Sequence, residues 1–132
     1  MTVNTSCTQK LCENTFHDQG HRDAALSLVI TSDEKLRDLK FQYFKKDQYT
    51  DVIAFNLSKD EEPIDAEVYV SYDRVKENAR TFKQSLDHEL KRVIIHGILH
   101  LCGYDDHTKE KKEIMTSNED RLIALNTKKV VK

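Results

Sequence analysis

The stretch from Ser85 to Gly103 constrains the fold of this chain more than any other part of the sequence. Its apolar residues recur at helical spacing and form one stripe, made of Leu86, Leu90, Val93, Ile94, Ile98 and Leu101. Ser85 is a suitable N-cap, and Gly103 stands where a left-handed residue can end a helix. A stripe of this length must be covered by other elements, so we expect a central, well-buried helix.

Three other apolar runs are typical of strands, and they lie at residues 26–30, 51–57 and 68–72. Ser32, Asp73 and Thr108 are candidate N-caps of further helices. The whole chain of 132 residues has the length of one domain. We therefore predict a single α+β domain over residues 1–132, with a small, mostly parallel mixed sheet of about four strands packed against the central helix.

The two ends of the chain show weaker patterns. Residues 1–25 are polar and keep no sustained period, which predicts an irregular or weakly ordered lead-in. Residues 128–132 are mostly basic, and we expect them to fray.

Composition excludes several classes of protein. The 21 basic and 23 acidic residues nearly balance, so any surface that attracts nucleic acid must be local. No apolar run approaches the roughly 18 to 20 residues that span a bilayer, which predicts a soluble, cytoplasmic protein without a membrane partner. Three cysteines are too few, and odd in number, for a disulfide scaffold, so we expect reduced thiols.

Two histidines, His96 and His100, stand in the last part of the predicted helix. Four helical residues turn through about 400°, which places both imidazoles on the same side, one turn apart. Gly103 can turn the chain back so that Asp106 or His107 supplies a third ligand. Three protein ligands with one open position are typical of a catalytic zinc site, whose bound water can ionise near neutral pH. We predict one Zn²⁺ ion at this place.

Position 97 argues against a peptidase. Zinc peptidases with the motif H-E-x-x-H use the glutamate beside the first histidine as general base, and here that residue is Gly97. The sequence therefore leaves the identity of the general base open. Candidates are Asp105, whichever of Asp106 and His107 does not bind the metal, and Glu89.

The same residues carry a resemblance to a known family. The run His-Gly-Ile-Leu-His-Leu-Cys-Gly-Tyr-Asp at residues 96–105 closely resembles the signature H-G-x-L-H-L-x-G-Y-D-H of the YbeY family of endoribonucleases, or rRNA maturation factors. Residues 39–55 and 64–72 are similar to further segments of that family, so the resemblance covers about residues 26–126. It implies a single-domain α+β fold around the metal-bearing helix, with His96, His100 and Asp105 as catalytic residues.

The resemblance also implies a function and partners. Members of this family hydrolyse single-stranded RNA in ribosomal RNA maturation and ribosome quality control, and are expected to meet the small ribosomal subunit with its proteins or assembly factors. Local cations could hold the RNA backbone, and the candidates are Lys45, Lys46, Arg74, Lys91 and Arg92.

Two positions depart from the family pattern. The third histidine of the signature is replaced by Asp106, with His107 displaced by one. Register favours Asp106 as the third ligand, whereas the usage of the family favours His107, so both stay open. Phe44 stands where the family has an arginine, whose role would then pass to another base such as Lys45 or Lys46.

Two other functions remain as alternatives to an endoribonuclease. One is a non-catalytic ribosome assembly factor that uses the metal only for stability. The other is a zinc peptidase, which Gly97 disfavours.

Overall fold

The computed structural model describes residues 1–132 and contains five helices and three strands. In chain order these are α1 (Thr5–Asp18), β1 (Ala25–Thr31), α2 (Asp33–Phe44), β2 (Val52–Asn56), β3 (Asp65–Ser71), α3 (Tyr72–Thr81), α4 (Leu86–Leu101) and α5 (Lys109–Leu125). None of these helices is both long and apolar enough to cross a membrane.

The sheet is mixed, with the strand order β1-β3-β2. β1 runs parallel to β3, and β2 runs antiparallel to it. The α+β class is thus confirmed, but the expectation of about four mostly parallel strands is wrong. Only eight residues separate β2 from β3, too few for the crossover that a parallel pair requires, so these two strands pair as a hairpin.

α4 packs against one face of the sheet. Ala66, Val68 and Val70 alternate along β3 and belong to the same buried cluster as the apolar stripe of α4. Gly97 sits at the closest approach, where a Cβ atom would lie 3.0 Å from Cγ2 of Val52 and 3.2 Å from Cγ1 of Val68. A glycine here lets the histidine-bearing turn of α4 lie directly on the sheet.

α2 covers part of the opposite face. Leu36 and Leu39 form a second, smaller cluster with Ile53 of β2, and Phe55 and Tyr69 pack against it. Successive side chains of a strand point to opposite faces, so Ile53 and Phe55 face α2 while their neighbours face α4. The loop at residues 45–51 therefore runs from α2, on this face of the sheet, to the start of β2.

The first 25 residues contain a regular helix, which corrects the prediction of an irregular lead-in. Asn4 caps α1 by accepting a hydrogen bond from the backbone N–H of Cys7 at 3.0 Å, and Leu11 and Phe16 are buried. The buried hydroxyl of Thr15 donates to the carbonyl oxygen of Leu11 at 2.8 Å. Because the backbone carbonyl accepts the hydrogen bond of such a hydroxyl, a threonine can face the core. The buried face of α1 therefore includes polar residues, and the hydrophobicity pattern of the sequence does not show the helical period.

Residues 130–132 of the tail are held in place, contrary to the expectation that residues 128–132 fray. Val130 is fully buried. The backbone N–H groups of Val130 and Val131 donate to Oδ1 of Asp87 at 2.7 and 3.0 Å, and Val131 bridges to Val3. Residues distant in sequence hold this segment, so its order could not be predicted from its own basic composition.

Candidate metal centre

The end of α4 brings the chain back toward its two histidines. Gly103 has a φ of 101°, and its N–H donates to the carbonyl of His100 at 3.1 Å while the N–H of Tyr104 donates to that of Leu99 at 3.0 Å. This pair of bonds is a Schellman motif, which a left-handed glycine makes possible. The turn that Gly103 predicts is present, and it redirects the residues that follow.

Three donor side chains converge beside this turn. The Nε2 atoms of His96 and His100 lie 3.0 Å apart, and Oδ2 of Asp106 lies 3.9 Å from Nε2 of His96. One ligand atom from each of the three residues lies within 4.8 Å of the others. Ligands at about 2.0 to 2.2 Å from one zinc ion are separated by roughly 3 to 4 Å, so a small adjustment would let these atoms share an ion.

The neighbours of Asp106 lie outside this group. The side chain of His107 is 83% exposed. Asp105 accepts hydrogen bonds from the backbone N–H of His107 at 3.1 Å and from Nζ of Lys111 at 3.2 Å. These two donors, the backbone N–H first, hold the pKa of Asp105 below its usual range. Of the candidate third ligands, the structure therefore brings Asp106 and not His107 to the histidines.

The ring of His100 is suited to act as a neutral ligand. Burial lowers its pKa, and the adjacent His96 lowers it further, while Asp106 and the backbone of Tyr104 offset part of this effect. A neutral imidazole keeps the nitrogen lone pair that a metal requires.

Glu119 of α5 is a site residue that the sequence analysis did not identify. Its Oε2 lies 2.6 Å from Nδ1 of His96, and its side chain is only 4% exposed. A carboxylate in this position accepts the Nδ1 proton, which leaves Nε2 of His96 free to bind a metal. A signal was present in the sequence, because Glu119 interrupts the stripe of buried residues formed by Met115 and Leu122 at helical spacing.

An arginine links this carboxylate to two others. Arg92 binds both oxygens of Glu89 at 2.8 and 2.7 Å, and lies 3.3 Å from Asp51 and 3.7 Å from Glu119. The hydrogen bonds to Glu89, above all, raise the pKa of Arg92. Since Glu89 is buried against this guanidinium, it is not placed to act as a general base, and Arg92 is engaged within the protein instead of free for RNA.

The other predicted RNA contacts differ in their surroundings. Lys91 is buried, donates to the carbonyl of Asn126 at 2.9 Å and pairs with Asp87 at 3.1 Å, so an RNA contact is incompatible with its position. Arg74 pairs with Asp33 at 3.1 Å but stays partly exposed. Lys45 and Lys46 are exposed and have no carboxylate within ion-pair distance.

The donor set fits a divalent ion of the zinc type. Two imidazoles and a carboxylate are ligands that zinc accepts, and the second nitrogen of one imidazole is already bound by a buried carboxylate.

Comparisons with known proteins identify the family. The family model described as Endoribonuclease YbeY matches residues 2–126. An endoribonuclease YbeY from Parabacteroides distasonis is 41% identical over 106 residues, which are 80% of this chain and 74% of that protein. Its counterpart from Christiangramia forsetii is 41% identical over 100 residues, or 76% and 69% of the two chains.

A solved structure shows the same fold. The solution structure of TM1509 from Thermotoga maritima superposes with a TM-score of 0.62 at 28% identity and covers 95% of this chain and 87% of its own. The family match extends over nearly the whole sequence and includes every helix and strand of the fold. The chain therefore belongs to the endoribonuclease YbeY family.

Proposed function

We propose that this protein is a metal-dependent endoribonuclease that cuts single-stranded RNA and holds one zinc ion with His96, His100 and Asp106. The convergence of these three donors at the end of α4 is the observation that carries the proposal. Membership of the endoribonuclease YbeY family supports RNA as the substrate.

The side chains have separate tasks in this proposal. Glu119 keeps the proton of His96 at Nδ1, so that Nε2 is turned to the metal. Asp106 adds a negative charge and is exposed, so the centre is open to a large substrate. A bound zinc ion would polarise a phosphodiester and lower the pKa of a bound water. Asp105 is tied to Lys111 and to the backbone, which suits it to holding the loop beside the centre.

The surroundings of Gly97 favour a nuclease over a peptidase. This residue occupies the position of the general base of zinc peptidases, and it faces two valines of the sheet at 3.0 and 3.2 Å. A glutamate side chain has no room at this point. Position 97 therefore cannot supply the glutamate that acts as general base in that mechanism.

We further propose a place in ribosome production. On the basis of the family, the protein acts in the cytoplasm in maturation of ribosomal RNA and in ribosome quality control, and meets the small ribosomal subunit with its proteins or assembly factors. The alternative is an assembly factor that binds the subunit without cutting RNA.

A cleavage assay tests the enzyme. Zinc-loaded protein is incubated with a labelled single-stranded RNA and with the same sequence in a duplex. We expect the single strand alone to be cut, a chelator to stop the reaction, and added zinc to restore it. His100→Ala should abolish cutting while circular dichroism stays unchanged, and His107→Ala, at an exposed position, should keep full activity.

Other results would favour the alternatives. Intact RNA together with binding to the small subunit would identify an assembly factor. Cleavage of peptides but not of RNA would identify a peptidase.

A further inference from the structure

Two aromatic side chains on the last turn of α2 are exposed and rest on the same ring of the sheet. Tyr43 and Phe44 form this aromatic platform, and neither of them is buried. Their ring centroids lie 5.1 and 5.8 Å from that of Phe55, and the two residues are 59% and 44% exposed. Exposed apolar rings grouped in this way indicate a surface that meets a partner.

Lysines surround the platform. Nζ of Lys40 lies 5.0 Å from the centroid of the Phe44 ring, and Lys45 and Lys46 follow directly in the chain. None of the three forms an ion pair with a carboxylate, although the arginines nearby do. Their charges are therefore free to bind an anionic partner.

Lys45 adopts a backbone conformation that is unfavourable for a residue with a side chain. It ends α2 with a φ of 58°, in the left-handed region where glycine is the usual residue. A side chain in this region is disfavoured by roughly 1 kcal/mol. Replacing Lys45 by glycine should therefore remove its charge without destabilising the fold.

We propose that the aromatic platform, with Lys45 and Lys46, binds single-stranded RNA by stacking its bases on the rings and pairing its phosphates with the lysines. This inference rests on the proposed function. Aromatic rings beside cations are the surface on which proteins bind single strands without reading sequence. An uncharged apolar partner would use the rings but would leave the three lysines without a counter-ion.

The loop at residues 45–51 joins the platform to the candidate metal centre. Its last residue, Asp51, lies 3.3 Å from Arg92, which lies 3.7 Å from Glu119, the partner of His96. The last residue of this loop therefore contacts the network that supports His96.

A pair of aromatic variants tests the stacking. Tyr43→Ala removes a platform ring, and Phe82→Ala removes a ring of equal exposure, 59%, at the end of α3. Binding of a fluorescent decamer of uridine is measured by anisotropy, with a chelator present so that no RNA is cut. We expect Tyr43→Ala to weaken binding roughly fivefold or more, and Phe82→Ala to leave it unchanged.

A pair of lysine variants tests the charge. Lys45→Gly and Lys83→Gly each remove one positive charge and relieve a left-handed residue, since Lys83 has a φ of 54°. Both proteins should therefore fold at least as well as the parent. Only Lys45→Gly should weaken RNA binding and reduce the slope of log K against log salt concentration, by about 0.7.

The outcomes separate this inference from the proposed function. If RNA is cut but Tyr43→Ala and Phe82→Ala bind it equally well, the platform is not an RNA surface and the inference is wrong. If Tyr43→Ala changes only self-association in sedimentation, the surface is a protein interface and the inference is again wrong. If no RNA is cut but binding depends on Tyr43 and Lys45, the RNA-binding inference holds and the proposed enzyme activity fails.

Discussion

Replacing Glu119 by glutamine should weaken zinc binding while the fold is kept. Glutamine has nearly the same shape, so the change removes the negative charge and little else. The carboxylate is 2.6 Å from Nδ1 of His96 and almost fully buried, a geometry in which a charge-assisted hydrogen bond is about twice as strong as a neutral one. The neutral amide would make His96 a less basic ligand and leave its ring less firmly oriented.

The expected loss of zinc affinity follows from this contact. Loss of the group that orients a metal-binding histidine typically lowers metal affinity by about 10- to 100-fold, or roughly 1.4 to 2.7 kcal/mol. The loss of folding stability should be limited, because Arg92 keeps two other counter-ions. These are Glu89 at 2.7 Å and Asp51 at 3.3 Å. We therefore expect a change in zinc affinity that is larger than the change in the stability of the metal-free protein.

The assay is competition for zinc with a chromophoric chelator at fixed pH and salt. Urea unfolding of the metal-free protein is measured in parallel, and nitrogen NMR of His96 reports which ring nitrogen carries the proton. Glu110→Gln is the matched control, since Glu110 lies exposed in the first turn of the same helix. A zinc affinity for Glu119→Gln within twofold of the parent, with the proton of His96 still at Nδ1, would refute the reasoning.

Three further predictions concern the ligand, the tail and the helix–sheet contact. Asp106→Ala should lower zinc affinity at least tenfold and His107→Ala should leave it unchanged, as measured by the same competition; the reverse order would assign the third ligand to His107. Burial by itself would raise the pKa of Asp87, but donors from the tail backbone and from a lysine outweigh it and lower that pKa. Asp87 therefore stabilises the fold above its unfolded pKa of about 3.9, and this contribution is lost as the pH falls through the lower folded value. Asp87→Asn should reduce the free energy of unfolding at pH 7 by about 1 kcal/mol. In this variant the free energy of unfolding should also fall less steeply as the pH is lowered, and urea titrations between pH 7 and pH 3 measure both effects. Gly97→Ala should destabilise the protein by roughly 1 kcal/mol, because a methyl group would overpack the sheet by more than the gain in helix propensity, and an unchanged urea midpoint would contradict this.

The sequence by itself determined the elements whose signals are local. The apolar stripe, Ser85 and Gly103 predict α4 with the bounds that the structure shows. Ser32 and Thr108 likewise cap the helices that they predict. Helical geometry alone brings His96 and His100 to one side, because a spacing of four residues depends on no other part of the chain.

Only the tertiary structure decided what depends on distant partners. The course of the chain after Gly103 brings Asp106 to the histidines and leaves His107 in solvent, a choice that spacing left open. Glu119 reaches His96 from another helix, and the buried tail at Val130 is held by Asp87, 43 residues away. Periodicity reports which residues share one face of one element, whereas these contacts depend on how whole elements pack together, and no short stretch of sequence records that.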